Sequence, residues 1–376
     1  MTLSYDIIIV GGGLAGLVSA LNLSRKGKKV LLIEKHAYPK HKVCGEYISR
    51  EVLPYLHSLD FDPYKFGAKE IKKLTFSTSS NLSISSSLQL GGFSISRYCI
   101  DFELKKKAEI NGARVLKAKV SGIKFHNELF SVNTSSMDTY TAPLVIGAFG
   151  KRSNIDMKLN RTFLHKQSHF LAVKAHYKGI FPDDSVGLHN FEGGYCGISK
   201  VENNHINICY LMHAKIFNKY NNIQEFQENV LYKNKLIKKV LANSELVFDQ
   251  PLAIGNICFS SKNLVEDHIL MCGDSAGMIH PLAGNGMGMA IRSAQIVSEL
   301  ILAYPHGEIK SRDELERAYS KAWKNEFGFR LKAGRIIARL FRLGIITDLL
   351  MRIILIFPSI LPYIITKTHG KPILEE

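Results

Sequence analysis

One run of glycines near the start of the chain carries the first chemistry that can be read from it. Gly11-Gly12-Gly13-Leu14-Ala15-Gly16 satisfies G-x-G-x-x-G, and Glu34 follows eighteen residues after Gly16. Glycine at 11 permits a tight turn, and glycine at 13 lets the backbone approach a pyrophosphate. Glycine at 16 lets a helix pack closely on strands, while the helix N-terminus attracts the phosphates. The Glu34 carboxylate can accept hydrogen bonds from both hydroxyls of an adenosine ribose. That points to FAD or NAD(H), and away from a 2′-phosphate at this site.

Such a turn works only between a strand and a helix, and the flanking sequence supplies both. Tyr5–Val10 is a continuous apolar run rich in β-branched residues, Leu14–Lys26 has helical spacing ended by Gly27, and Lys29–Glu34 is a second strand-like run. Together they make one βαβ unit. A second block repeats the logic far downstream. Ile269–Cys272 reads as a buried strand running into Gly273-Asp274-Ser275-Ala276-Gly277, then His280-Pro281-Leu282-Ala283-Gly284-Asn285-Gly286-Met287 and a helix over Gly286–Leu302. With Gly11–Gly16 and Glu34, this block resembles the FAD-binding signature of the flavin monooxygenase (para-hydroxybenzoate hydroxylase-like) and geranylgeranyl reductase superfamily. The resemblance implies that Asp274 binds a ribityl hydroxyl and that Pro281 to Met287 wraps the isoalloxazine ring. Backbone N–H groups at a helix N-terminus suit the negative charge of a reduced flavin.

Shorter matches lie between the two blocks. Arg97, with Asp101 and Leu104, resembles the family's arginine opening a helix beside the FAD phosphates, and Val120 falls where the family places a strand over the adenine. Gly147–Ser153 resembles the family's Gly-Ala-Asp-Gly-x-x-Ser turn but carries Phe149 in place of the acid, so no cofactor or nicotinamide contact is assigned there. The expected cofactor set is Gly11, Gly13, Leu14, Ala15, Gly16, Glu34, Lys35, Lys42, Arg97, Val120, Gly273, Asp274, Pro281, Gly284, Asn285, Gly286 and Met287.

Two chemistries compete for such a flavin. Lys42-Val43-Cys44-Gly45 resembles the K-x-C-G segment of the geranylgeranyl reductases, and Ser275-Ala276-Gly277 leans the same way. His280-Pro281-Leu282-Ala283 is similar to the ring hydroxylases of quinone biosynthesis. Gly194-Tyr195-Cys196-Gly197 falls where the reductases carry Gly-Tyr-x-Trp, with Gly197 in place of the tryptophan. The first expectation is therefore an FAD-dependent monooxygenase. It would use NAD(P)H as a transient electron donor and hydroxylate a lipophilic aromatic, polyketide- or isoprenoid-derived substrate through a flavin C4a-hydroperoxide. The alternative is a flavin-dependent reductase of isoprenoid double bonds with Cys44 near the ring, and a second alternative is a non-enzymatic, FAD-carrying redox partner at a membrane. No catalytic residue is assigned; His280, Tyr195 and Cys44 are the candidates.

Composition bounds the rest. The chain has 376 residues, 46% hydrophobic and 22% charged, which excludes disordered, collagenous and coiled-coil classes. Six cysteines at 44, 99, 196, 209, 258 and 272 form no C-x-x-C pair, so reduced thiols in the cytoplasm are expected. No signal peptide is expected, since Asp6 precedes the short run Ile7–Val10 and no small-residue cleavage site follows. Spacings such as His165/His169 or Cys209/His213 lack further ligands, and no metal site is expected. No G-x-S-x-G or Walker loop occurs.

Further elements follow from pattern. Lys73–Leu90 and Phe163–Tyr210 alternate as antiparallel β-structure, Ile100–Asn111 is helical, and Arg114–Phe125, Phe130–Thr134 and Leu144–Gly147 are strands. Ile223–Leu241 reads as a Lys-rich amphipathic helix, and Arg312 onward as mostly helical. The expected fold is α/β: a Rossmann-like FAD domain from 1–75, 97–155 and 255–305, a β-sheet substrate domain from 76–96 and 156–254, and a helical region over 306–376. The formal net charge of +16 comes without any nucleic-acid reader motif, so no nucleic acid is expected, nor any specific protein partner. Basic residues cluster over Lys321–Arg342 ahead of the apolar stretch Ile353–Ile365, whose 13 residues fall short of the ~20 that span a bilayer. Two readings stay open for this region: a peripheral membrane-surface helix, or a helix covering the FAD domain with its basic face in water.

Overall fold

The computed structural model describes residues 3–166, 169–280, 285–305, 307–342, 344–362 and 365; between 337 and 346 the description is of backbone alone. The α-helices among the described residues are α1 (Leu14–Arg25), α2 (Leu53–Ser58), α3 (Arg97–Ile110), α4 (Asn154–Lys158), α5 (Ala214–Phe217), α6 (Ile223–Asn229), α7 (Lys235–Leu241), α8 (Gly286–Leu302), α9 (Arg312–Arg342) and α10 (Gly344–Ile356).

Ile7–Val10 is the axis of the first layer. All four side chains are buried, because Leu144–Gly147 and Val30–Glu34 pair with it in parallel on either side and helices cover the faces. A short β-branched run without polar alternation is what two-sided burial demands. The six-stranded sheet runs Val265–Glu266, Ile269–Met271, Leu144–Gly147, Ile7–Val10, Val30–Glu34, Arg114–Lys117, antiparallel only in its first pair. α1 packs against α3 and α8, so both glycine-rich blocks sit over one edge of this sheet. A smaller sheet orders Leu3–Ser4, Thr139–Ala142, Leu129–Thr134 and Val120–His126.

The large sheet has nine strands, with Phe170–Gly179, Ile206–His213, Gly194–Lys200 and Ser185–Phe191 at its centre and the hairpin Lys69–Ser77/Ser83–Ser94 beyond them. Alternation divides its faces. Val173, Ala175 and Tyr177 point into a core with Ile208, Tyr210 and Phe226, beneath α6 and α7. Ala172, Lys174 and His176 point the other way, toward the dinucleotide domain.

The expected α/β architecture is present: a Rossmann-like sheet, a β-sheet layer and a helical C-terminal region. Several boundaries differ. The divisions expected at 75 and 155 fall inside Lys69–Ser77 and inside α4, because Lys69–Ser77 pairs along its length with Ser83–Ser94. Arg114–Phe125 is two strands: Arg114–Lys117 ends the parallel sheet, and Val120–His126 turns into the smaller one. Ile223–Leu241 is two helices, split at Asn234. That side chain is fully buried, and its Nδ2 donates to Ser77 Oγ (2.8 Å), Thr78 O (3.2 Å) and Asn190 O (3.1 Å) while its Oδ1 caps α7. A residue held on three sides cannot sit mid-helix, and Asn is favoured at such caps.

α9 covers the FAD domain. Leu315, Tyr319, Trp323 and Phe327, spaced four apart, are buried against the core of the first layer, each contributing ~1.5–3 kcal/mol. Among the described residues, no helix is long and apolar enough to cross a membrane.

Gly16 shows how narrowly α1 is seated. A Cβ there would lie 2.0 Å from Gly11 O, a backbone atom that cannot move without opening the turn. Gly16→Ala is expected to cost ~1–3 kcal/mol of stability and to lower FAD content in the purified protein. Denaturant titration and flavin absorbance check both, and wild-type values in the Gly16→Ala variant would contradict this packing.

Candidate functional site

The glycine turn is formed as its sequence requires. Gly11 has φ +107°, a conformation that favours glycine, and a Cβ there would lie 2.3 Å from Ala148 O. Leu14 and Ala15 open α1, with Gly13 as its N-cap. Glu34 ends its strand with Oε2 accepting from Gly12 N at 2.7 Å and Oε1 accepting from His36 N at 3.0 Å. Its carboxylate is thereby fixed beside the turn where an adenosine ribose would lie. Lys35 is exposed next to it. Val120 is buried at the start of its strand.

Lys42 and Arg97 converge over the same turn. Asp101, almost fully buried, accepts Arg97 Nε and Nη2 at 2.8 Å each and Lys42 Nζ at 2.8 Å. Burial alone would lower the Arg97 pKa, and Asp101 more than reverses it, so the guanidinium stays charged. Two cations share one carboxylate, leaving a net positive charge beside Gly13, whose absent Cβ would be 3.6 Å from Arg97 Nη2. That charge suits an anion such as a pyrophosphate.

The second block closes over the first. A Cβ on Gly273 would lie 2.8 Å from Ala15 Cβ, which sets Asp274 at the entrance to α1. Two buried cations hold this turn. Lys262 Nζ donates to Asp274 O (2.7 Å) and Lys151 O (2.9 Å), and burial pulls its pKa down to about 8. Arg161 donates to Asp156 Oδ1 (2.9 Å), Ser275 O (3.0 Å) and Asn263 O (2.7 Å). Ser275 Oγ bonds Gly150 N and O, joining the Gly147–Ser153 turn to the flavin block. Phe149 packs half-buried against the first-layer core. Isolated basic residues carry no motif, so neither Lys262 nor Arg161 could be picked out from the sequence.

Asn285 is buried and donates to Glu51 Oε1 at 2.9 Å, Gly286 opens α8, and Met287 is buried. Pro281 and Gly284 lie outside the described residues. The residues present fit FAD on a structural observation. α3 to α7 start with side-chain caps and α2 with a proline in its first turn, whereas α1 and α8, the two helices behind the glycine loops, have neither. Among the described residues Asn285 Oδ1 is also buried without a hydrogen-bond partner. Uncapped N–H groups and a buried acceptor suit a polar ligand.

The three catalytic candidates lie near one apolar cluster. Cys44 Sγ lies 3.3 Å from Met287 Sδ, at the start of α8. Its neighbour Val43 packs on a buried apolar cluster of Ala172, Tyr195, Leu211 and Ile257 from the facing sheet and its following loop. His280 lies beside this cluster, with ring centroids 6.2 Å from Tyr195 and 4.6 Å from Phe259. A Cβ on Gly197 would meet nothing nearer than Cys209 O at 3.7 Å, so a small side chain would fit there. Burial raises the Cys44 thiol and pushes the Tyr195 hydroxyl well up, so both keep their protons at neutral pH.

An unforeseen buried cluster positions Cys44. Glu46, fully buried with φ +56°, accepts Lys174 Nζ and His176 Nε2 at 2.7 Å and Arg97 N at 2.8 Å. Asn207 Nδ2 donates to the carbonyls of Cys44 (3.2 Å) and Gly45 (2.9 Å). Burial raises the Glu46 carboxyl, but Lys174 and His176 together hold it below the usual range. A charged pair pointing inward from an alternating strand was the only signal in the sequence.

Comparison with known proteins agrees with this geometry. A family model described as "FAD binding domain" matches residues 6–41. The chain is 24% identical over 378 residues to conditioned medium factor receptor 1 of Dictyostelium discoideum, covering 92% of this chain and 72% of that protein. It is 24% identical over 355 residues to a digeranylgeranylglycerophospholipid reductase of Methanosarcina acetivorans, covering 90% and 84%. The structure of the flavin-dependent brominase Bmp2 superposes with a TM-score of 0.78 at 17% identity, covering 97% of this chain and 93% of that one. These likenesses support the FAD-dependent monooxygenase and geranylgeranyl reductase superfamily that the motifs resemble, and the solved structures share its fold. The comparisons support an FAD-dependent oxidoreductase, and the matched FAD-binding segment takes in the glycine turn and Glu34. The thiol, tyrosine and histidine lie by the apolar cluster.

Glu46→Gln in this flavoprotein leaves Lys174 buried without a counter-charge, an expected loss of about 3–5 kcal/mol near neutral pH by denaturant titration. Because the folded carboxyl is held low, the wild-type advantage is present above the ordinary carboxyl range. It is lost as pH falls through the depressed folded value. Equal stability of the two proteins at neutral pH would contradict the cluster's charge state.

Proposed function

We propose that the chain is an FAD-dependent reductase of carbon–carbon double bonds in a long, isoprenoid-type substrate. The observation that carries this reading is Cys44: a thiol that holds its proton at neutral pH, 3.3 Å from Met287 at the head of the helix behind the flavin loop, with its neighbour Val43 on a buried apolar cluster. Bound FAD would supply a hydride, and saturating an isolated double bond then needs one proton at the neighbouring carbon. Cys44 is the group whose protonation and place suit that donation. An apolar wall orients a substrate by shape and excludes water. The digeranylgeranylglycerophospholipid reductase relative supports the same substrate class.

Hydroxylation of a lipophilic aromatic, the first expectation from the sequence, becomes the second reading. The Tyr195–His280 pair favours it, since a ring hydroxylase needs polar groups facing a phenol. Tyr195 cannot act as a base while burial holds its proton, which leaves His280 alone for that task. NAD(P)H is the proposed electron source in either case.

Chemically reduced holoprotein mixed without oxygen with a geranylgeranyl glycerol ether tests the choice. Recovery of oxidised-flavin absorbance is expected, and Cys44→Ser should slow it roughly 10²-fold while leaving the flavin spectrum in place. Recovery that requires oxygen would favour the second reading. Unchanged kinetics in Cys44→Ser would remove the thiol from the reaction.

A further inference from the structure

The last described helices carry an apolar surface that the fold does not use. α10 turns Thr347 and Met351 inward, both buried, and Asp348 accepts a hydrogen bond from Ser80 Oγ at 2.7 Å. Its opposite side presents Leu349 (58% exposed), Ile353, Ile356 (69%) and Phe357 (58%), with Leu355 beside them. Exposed Arg352 lies within this face. The preceding turns of α9 expose Phe329 and Ile336 together with Lys332 and Arg335. Large apolar residues exposed in one contiguous stretch mark an interaction site rather than ordinary surface.

Charge and length decide what would cover it. The chain carries a formal net charge of +16, and no acidic side chain is exposed among the described residues from 329 to 362. A second copy docking face to face would oppose Arg352, Lys332 and Arg335 to their equivalents, at an electrostatic cost. An anionic lipid surface attracts the same residues while taking up the apolar ones. α10 has 13 residues, ~20 Å of helix against a hydrocarbon core of ~30 Å, so it can lie in an interface and cannot span it.

The location adds a second argument. α9 packs Trp323 and Leu331 on Gly277, next to Met278 of the apolar cluster, with Leu331 Cδ1 3.7 Å from where a Gly277 Cβ would lie. α10 is tied by Asp348 to Ser80, at the tip of the hairpin whose Phe76 pairs with Leu188, which packs on the same cluster. The two helices therefore touch both the flavin block and the hairpin of the large sheet.

We propose that the outward face of α9–α10 is a docking surface for an anionic bilayer, which would hold the flavin block and the large sheet's hairpin close to the lipid. The proposal goes beyond the catalytic reading, and vesicle binding needs no turnover, so the two fail separately. The test is flotation of FAD-loaded full chain with vesicles of phosphatidylcholine alone and of an equal mixture with phosphatidylglycerol. Wild type should float with the mixed vesicles, less so at high salt and with phosphatidylcholine alone. Lys332→Gln/Arg335→Gln, both at exposed positions, should weaken binding roughly fivefold for each charge removed. Leu349→Ser/Ile353→Ser/Ile356→Ser should abolish it while keeping wild-type FAD content. Equal flotation of wild type and both variants would overturn the proposal. So would a concentration-dependent dimer that the serine variant dissolves, or binding gained only after removal of residues 366–376, which would make the chain's own tail the occupant.

Discussion

The structure turns on one buried carboxylate. Glu46 reaches from a loop of the dinucleotide domain to Lys174 and His176 on the facing sheet, and it also accepts the backbone N–H of Arg97. Three separate elements are therefore fixed by a single group in a medium where unpaired charge is costly. The loop carries Cys44, the sheet carries the apolar cluster, and the helix begun by Arg97 carries the cation over the glycine turn. Glu46 has left-handed backbone, in the loop just before the strand Tyr47–Ser49.

Around that joint, each side of the site has its own logic. On the cofactor side, uncapped helix N-termini and shared cations leave positive potential where a pyrophosphate would lie, and buried Lys262 and Arg161 hold the second turn by its carbonyls. On the facing sheet, an apolar cluster with a phenol and an imidazole beside it lies next to the buried Glu46–Lys174–His176 group. Such a division lets a charged cofactor and a lipophilic substrate share one cleft without either demanding solvent from the other. α9 then closes the cofactor side with a four-residue rhythm of large side chains, while its far end and α10 leave a different, unburied rhythm facing out.

Much of the cofactor side is legible in the sequence because glycine and acid positions are dictated locally. Gly11, Gly16 and Glu34 have roles set by neighbours within one βαβ unit, and the strand at Ile269 announces its own turn. The substrate side is legible only as alternation. That pattern gives strands but not which strands pair, so it divides Lys69–Ser77 between two layers. Asn234 reads as helix interior because its three partners are distant in sequence. Glu46, Lys174 and His176 are likewise distant, the first lying more than a hundred residues from the other two, and the inward register of Lys174 and His176 on an alternating strand does not name their partner. Cys44 can be singled out, but its protonation is a property of the burial that folding creates.

The central claim is that this cleft adds hydrogen to a lipophilic substrate rather than oxygen. Mass spectrometry of the product formed under oxygen-18 gas, from a geranylgeranyl glycerol ether and a pyridine nucleotide donor, measures it directly. The account predicts a product heavier by two hydrogens for each bond saturated and free of oxygen-18. A product carrying oxygen-18, with its double bonds intact, would contradict it.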